Sequence, residues 1–199
     1  LAVSGKLNAK QFGPPAPVTF NPEGQVVVGV DTFDSAGRPT GKYVPLEGEE
    51  FRRSVYLQVR RSRPLGLLAA FDAPDMTDAN CDARPVTTVS PQSLMLMNYL
   101  GMREFSHYFA ERLRRELPGD VDAQIERAWR LAFGRACRTD EKEAARELID
   151  QQTAYYEQHP ARLEYVLAPG EEGPAEPGLL ALASLCQALT SANEFLYVD

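Results

Sequence analysis

The chain has 199 residues, of which 44% are hydrophobic and 25% are charged, the composition of an ordinary globular protein. Its net charge of -7 argues against a general nucleic-acid binder, because such proteins need a basic face to displace the counterions of the phosphate backbone. The longest uncharged stretch, residues 177–193, contains several polar side chains and is shorter than the roughly 20 apolar residues of a membrane span.

The first 48 residues are rich in glycine and proline, which predicts an irregular lead-in. Residues 25–30 form a short β-branched run that predicts a strand. Residues 35–41 have the composition of a turn, and residues 42–46 are placed to return as a second strand. We therefore expect an irregular segment over residues 1–48, in which a β-hairpin can form, followed by a helical domain over residues 49–199.

Residues 51–63, FRRSVYLQVRRSR, fit two kinds of structure. The apolar residues recur at helical spacing from Phe51, whereas Val55, Leu57 and Val59 alternate as in a strand. We favour a helix, because two glutamates precede the segment and three arginines lie near its end, where they suit the helix dipole.

The second half of the chain predicts a succession of helices. Ser90 and Pro91 are a strong start signal, since Ser is a favoured N-cap and Pro suits the first helical position. The predicted fold class is mainly α: a bundle of about five helices with an irregular N-terminal segment. The predicted helices span residues 51–63 and 90–117. The next is capped by Asp120 or Asp122 and ends at Gly134, another is capped by Thr139 and includes Tyr155, and the last covers residues 179–191 after a solvated loop at residues 159–178.

The three cysteines, Cys81, Cys137 and Cys186, lie far apart and form neither CxxC nor CxxCH. A zinc ribbon and covalently attached haem are therefore unsupported, and we expect no cofactor in this chain. One disulfide with a free thiol and three buried thiols remain open alternatives. A histidine-based metal site would need both His107 and His159, and their spacing does not bring them together.

The stretch DAPDMTDANCDARP, residues 72–85, concentrates carboxylates. Asp78, Asn80 and Asp82 have the spacing that opens a calcium loop, where alternate residues direct oxygens at one hard cation. The sixth position is Ala83 and the twelfth is Val89, whereas an EF-hand needs Gly and a bidentate Glu there. We therefore favour the interpretation that the aspartates cap turns, and not that they form a calcium site.

Two further chemistries can be read from the same region. Asp72 and Asp75 can serve as a pair of general acid and base, but a chain with 28 acidic residues offers many such pairs. The arginines between residues 52 and 63 can bind an anion such as sulfate, phosphate or a uronic acid. Pairing of these arginines with the aspartates downstream is the interpretation that we favour.

Six motifs are distributed along the whole chain: VSGKLN, GEEFRRSVYLQVRRSR, FDAPDM, NCDARPVTTVSPQSLMLMN, AWRLAFGR and NEFLYVD. Together they resemble the planctomycete-type domain of unknown function 1553, specifically its C-terminal part. The resemblance implies an exported, extracytoplasmic protein of planctomycetes or related bacteria, with the present chain as the end of a longer polypeptide. It also implies a cytochrome-c-like domain upstream, which would hold the haem, and in some members carbohydrate-binding modules.

The polar motif residues come from separate segments, and we expect them to converge on one buried network. Arg53 or Arg84 would pair with Asp72 or Asp75, and Asn98 would tie the long helix to the aspartate loop. Such a network is tolerated in a core only when its members are paired. The expected members on the basic and amide side are Arg52, Arg53, Arg84 and Asn98.

Two functional hypotheses follow. The first is a non-catalytic helical module of an exported multidomain bacterial protein, linked to cytochrome-c-like and polysaccharide-handling domains; its partners are the upstream domains. The second is a hydrolase or lyase for acidic or sulfated glycans, which uses Asp72 or Asp75 with an arginine clamp. Buried, paired side chains would favour the first, and an open cleft with unpaired carboxylates would favour the second.

Overall fold

The computed structural model describes residues 1–20, 26–30, 32, 34–38, 40, 44, 46–60, 64–71, 90–159 and 176–196. These residues form a mainly α-helical protein with one antiparallel pair of short strands, which confirms the predicted fold class. The elements are β1 (Val18–Phe20), β2 (Val26–Val28), α1 (Gly66–Ala70), α2 (Ser90–Asn98), α3 (Leu100–Glu116), α4 (Val121–Phe133), α5 (Thr139–Gln158), α6 (Pro177–Thr190) and α7 (Asn193–Leu196).

The chain groups into two compact units, each described by itself below. The N-terminal unit comprises Leu7–Met95. The helical unit comprises Leu1–Lys6 together with Leu96–Asp199.

The two strands of the N-terminal unit pair in the register Val18 to Val28 and Phe20 to Val26. The strand predicted at residues 25–30 is therefore present, but its partner β1 precedes it and was missed. Prolines precede β1, and proline argues against a central strand, so the sequence pattern did not predict β1. Residues 41–43 and 45, which include most of the expected second strand, lie outside the described residues.

The turn predicted after residue 34 is confirmed. One carboxylate oxygen of Asp34 accepts hydrogen bonds from the backbone N–H groups of Ala36 (2.9 Å) and Arg38 (2.8 Å). The backbone N–H of Thr40 donates to the carbonyl of Thr32 over 2.7 Å, so the chain doubles back here.

The helix predicted at residues 51–63 is wrong over the described part. Two single 3₁₀ turns, Glu49–Phe51 and Ser54–Tyr56, are separated by extended backbone at Arg52, and the chain is extended again at Leu57. Backbone bonds made at a distance replace helical ones: the N–H of Ala16 donates to the carbonyl of Tyr56 over 2.7 Å. The periodicity that suggested a helix reflects two turns, not a continuous element.

The helix that starts at Ser90 is interrupted at Tyr99, where an unbroken helix to Leu117 was expected. Tyr99 has extended backbone angles (φ −70°, ψ 123°), and its carbonyl accepts from Met102 at 2.9 Å as α3 begins. A Cβ built on Gly101 would lie 2.5 Å from the ring of Tyr99. The ring therefore occupies the space that a side chain at position 101 would need.

The core of the helical unit lies among α3, α4, α5 and α6. Helix α6 is apolar on most sides, as the sequence predicted, and it packs on both α3 and α5. Burying each large apolar side chain of such a core contributes about 1.5–3 kcal/mol. The largest fully buried apolar side chains of this unit are Phe109, Leu113, Ile125, Leu180 and Leu182.

Helix ends follow the predicted signals closely. The carboxylate of Asp120 accepts the backbone N–H of Ala123 (2.9 Å) at the start of α4, and Gly134 ends that helix with φ 72°. The cap predicted for α5 is wrong by one residue: the helix begins at Thr139 itself, so its N-cap is Arg138, whose backbone N–H donates to Glu141 over 2.9 Å. Among the described residues, no helix combines the length and apolar character that crossing a membrane requires.

The first six residues belong to the helical unit and lie along α3. The guanidinium of Arg112 donates to the carbonyl of Val3 (2.9 Å), and the ammonium of Lys6 sits 3.9 Å from the centre of the Tyr108 ring. The VSGK motif, residues 3–6, is thus held against α3 by these contacts.

Candidate functional site

Arg52 is the predicted site residue for which the structure gives the most detail. Only 1% of the residue is exposed, although an arginine is seldom buried without partners. Its terminal nitrogens donate to the carbonyl oxygens of Phe12 (2.6 Å) and Pro14 (2.9 Å) and to the carboxylate of Glu49 (2.9 Å). The side chain thereby fastens residues 12–14 to residues 49–52.

The backbone at Phe12 has an uncommon conformation where its carbonyl oxygen accepts the bond from Arg52. Phe12 has a positive φ of 61°, which is uncommon for a bulky residue, and the next residue, Gly13, has φ 87°. The Phe12 side chain is 78% exposed, so its packing does not explain the conformation. The hydrogen bond from Arg52 to its carbonyl offsets the cost of this backbone, which is of order 1–3 kcal/mol.

Glu49 supplies the negative charge beside the buried guanidinium. The ammonium of Lys10 lies 2.6 Å from its other oxygen, so one carboxylate serves two cations. The hydrogen bond from Lys10, with the charges of Lys10 and Arg52, lowers the pKa of Glu49 below its usual value. The carboxylate is therefore ionised at neutral pH. The ring of Tyr56 covers the guanidinium at 4.2 Å.

This arrangement suits a structural junction better than an anion clamp. A clamp needs an accessible guanidinium fork, whereas both terminal nitrogens of Arg52 already donate to the chain itself. Within the described part of the chain, the Nε of Arg52 and one oxygen of Glu50 are buried without a hydrogen-bond partner. Removal of Arg52 would leave two backbone carbonyls unsatisfied.

A second ionic cluster lies in the helical unit and was not expected from the sequence. The guanidinium of Arg135 makes forked contacts with Glu141 (2.7 and 2.8 Å) and with Glu194 (2.7 and 2.9 Å). Arg135 ends the motif AWRLAFGR, and Glu194 lies in NEFLYVD. Each motif was recognisable, but only the fold shows that they meet.

Residues 1–149 match the family model PSD1, whose description is protein of unknown function (DUF1553). The chain belongs to this family. The matched region includes Arg52 and Arg135 and ends within α5, so that α6 and α7 follow it. No curated protein and no solved structure matches the chain.

Most of the remaining predicted site residues of this DUF1553 chain lie outside the described residues. Arg53 is exposed at the surface of the N-terminal unit, and Asn98 is exposed at the last position of α2. A buried network was expected, and the exposure of Arg53 and Asn98 does not agree with that burial. The pairing of the arginines and Asn98 with the aspartates stays a prediction. Outside the described residues are the catalytic candidates Asp72 and Asp75, the calcium candidates Asp78, Asn80 and Asp82, and Arg84.

One further motif residue has a clear role in the DUF1553 chain. The side chain of Gln92 in α2 is buried, and it donates to the carbonyl of Ala70, the last residue of α1, over 2.9 Å. The motif glutamine thus joins α1 to the part of α2 that belongs to the N-terminal unit.

The structure describes two of the three cysteines and both histidines. Cys137 and Cys186 are free thiols, which excludes a disulfide between them; Cys81 lies outside the described residues. Burial raises the pKa of Cys137 to about 11 and also raises that of Cys186. His107 is buried in α3, whereas His159 is exposed after α5. Among the described residues, no group of three or more potential ligands could hold a metal ion.

Proposed function

We propose that this chain is a non-catalytic helical module of an exported multidomain bacterial protein, linked to cytochrome-c-like and polysaccharide-handling domains. The observation that supports the non-catalytic part is the state of Arg52. Its guanidinium is buried, and its terminal nitrogens donate to two backbone carbonyls and Glu49. The motif arginine is thus engaged in holding the N-terminal unit together.

A ligand at Arg52 would have to compete with the partners that its guanidinium already holds. An anionic ligand at Arg52 would have to displace Glu49 and both carbonyls, which would leave buried acceptors unsatisfied at a cost of about 1–3 kcal/mol each. It would also need a path to a side chain of which 1% is exposed. Catalytic and binding arginines instead present their fork to a cleft.

The setting of the module rests on the motif resemblance. The DUF1553-type motifs imply an extracytoplasmic chain that follows a cytochrome-c-like domain, and the partners would be neighbouring domains of the same polypeptide. Under this proposal, haem chemistry and glycan handling belong to those neighbours, and the present unit provides a stable support for them.

The first experiment is an assay of the purified chain against sulfated and uronic-acid polysaccharides, such as dextran sulfate and polygalacturonate. The proposal predicts no shortening of either polymer and no new reducing ends. Asp72→Asn and Asp75→Asn are measured in parallel by thermal unfolding, so that a role in stability is separated from a role in chemistry.

The alternative, a hydrolase or lyase of acidic or sulfated glycans, predicts a different pattern. The polymers would be cleaved, and one of the two asparagine variants would lose cleavage while its melting temperature stayed within about 1 °C of the wild type. That pattern would overturn the proposal. A fall in melting temperature with no cleavage by any variant would support it.

A further inference from the structure

Helix α7 is too short to be stable by its own hydrogen bonds. It has four residues, and isolated helices of fewer than about 12 residues are marginal in water. Its last two residues, Phe195 and Leu196, are half-buried, and their backbone N–H groups both donate to the carbonyl of Ala192. Contacts outside α7 must therefore hold it in place, and it packs against α4 and α6.

The charged contact that holds α7 is the pair between Arg135 and Glu194. The Nε of Arg135 lies 2.7 Å from one carboxylate oxygen, and an Nη lies 2.9 Å from the other. Such a forked pair fixes both distance and orientation. Arg135 itself follows Gly134, the residue that ends α4, so the guanidinium belongs to the corner between α4 and α5.

The two carboxylates that share Arg135 are not equivalent. Glu141 has a side chain that is 16% exposed, lies in the first turn of α5 and also accepts the backbone N–H of Arg138. The side chain of Glu194 is 47% exposed and belongs to the short α7. Glu141 is thus bound to the helical body in several ways, and Glu194 is the contact that water and salt can reach.

We propose that α7 is a releasable C-terminal clasp, which the Arg135–Glu194 pair holds closed on the α4–α5 corner, and which opens while the helical body stays folded. The helical body has its own core in α3 to α6, and α7 contributes none of its fully buried side chains. Loss of the pair therefore removes the anchor of α7 without removing that core.

The charged residues around the clasp indicate that high ionic strength would open it. Arg135 faces Glu141 and Glu194, Arg138 lies 3.1 Å from Glu141, and the neighbouring pair on α4 and α5 is Glu126 with Lys142. The hydrogen bond from Arg135 lowers the pKa of Glu194, and the nearby charge of Glu141 partly opposes this effect. High ionic strength weakens the exposed pair first, because the screening length falls to about 3 Å at 1 M salt.

Hydrogen exchange of the backbone amides tests the clasp in the intact chain. In Glu194→Gln, we expect the amides of Phe195 and Leu196 to exchange about 1.5- to fivefold faster, the effect of losing an exposed pair, while amides of α4 and α6 keep their rates. Salt at 1 M is expected to accelerate the same two amides in the wild type.

Glu176→Gln is the matched control, because it neutralises a glutamate in another forked arginine pair, with Arg114, away from α7. It is expected to leave Phe195 and Leu196 unchanged. Unaltered exchange of those two amides in Glu194→Gln would overturn the proposal. Equal acceleration throughout α4, α6 and α7 would overturn it too, because α7 would then open only with the whole helical unit.

Discussion

The guanidinium of Arg52 donates to the carbonyl oxygen of Phe12 over 2.6 Å, and this bond joins two residues 40 positions apart. Phe12 has a left-handed backbone that presents its carbonyl to the arginine. Glu49, three positions before Arg52, adds the opposite charge. The junction explains why a segment with helical periodicity is extended at Arg52: the side chain must reach another part of the chain, and not the next turn.

We expect the helical unit to lose stability at low pH in part because Glu141 becomes protonated. The hydrogen bonds from Arg135 lower the pKa of Glu141 from 4.5 to about 2. A carboxyl whose folded pKa is lowered contributes stability above its unfolded pKa, and this contribution is lost as the pH falls from about 4.5 towards 2. Thermal unfolding of wild type and Glu141→Gln should therefore differ at pH 7 and converge near pH 2. An equal difference at both pH values would contradict this assignment.

Gly134→Ala is expected to destabilise the helical unit by about 1–2 kcal/mol. Gly134 has φ 72°, a conformation in which a Cβ crowds the following carbonyl oxygen. Gly178→Ala is the control, because Gly178 lies inside α6 with an ordinary φ, and a Cβ added there would have no neighbouring atom within 4 Å. Urea unfolding should show a loss for position 134 and no loss for position 178. Equal midpoints for the two variants would argue against the left-handed cap.

The interruption between α2 and α3 can be tested by a double-mutant cycle. Gly101→Ala alone is expected to cost about 1–3 kcal/mol, because its Cβ would lie 2.5 Å from the Tyr99 ring. In the Tyr99→Ala background, the same change should stabilise the protein by up to about 1 kcal/mol, since alanine is the better helix former. Additive effects in urea unfolding would show that the ring does not dictate glycine at position 101.

The two described thiols are expected to be unreactive in the folded protein. Burial, followed by the charges of Glu141 and Glu126, raises the pKa of Cys137 to about 11, so its thiolate is scarce at neutral pH. In a Cys81→Ser variant at pH 7, iodoacetamide should modify Cys137 and Cys186 on the order of 100-fold more slowly than a free cysteine. Site-resolved mass spectrometry measures this, with urea-unfolded protein as the control. Rapid labelling of Cys137 in the folded state would reopen a nucleophilic role.

Local signals in the sequence predicted the helical half well. Asp120, Gly134 and the apolar run of α6 each specify structure through neighbours within a few residues. The first half depends on distant contacts: Arg52 bonds to residues 38 and 40 positions away. The structure of residues 51–60 could not be predicted from hydrophobic periodicity, because periodicity contains no information about hydrogen-bond partners so far along the chain.

The candidate site was predictable only in part, for the same physical reason. Arg52 stood out within the arginine-rich motif, and the spacing of Glu49 three residues earlier was the available signal for its partner. Arg135 and Glu194 are 59 positions apart and belong to different motifs, so their pairing needed the fold. The aspartates at 72, 75, 78 and 82 lie outside the described residues, and their roles stay predictions.

The melting temperature of Arg52→Met, measured beside that of Arg53→Met, tests whether Arg52 holds the N-terminal unit together. We predict that loss of Arg52 costs about 3 kcal/mol, because the carbonyls of Phe12 and Pro14 lose their donor. For a chain of this size that is a fall of roughly 6–12 °C. The Arg53→Met variant, which changes an exposed residue, should melt within about 1 °C of the wild type. If Arg52→Met fails to fold, Arg52→Lys, which keeps the charge, should fold and melt below Arg53→Met. An Arg52→Met protein that melts like the wild type would contradict the structural role of this arginine.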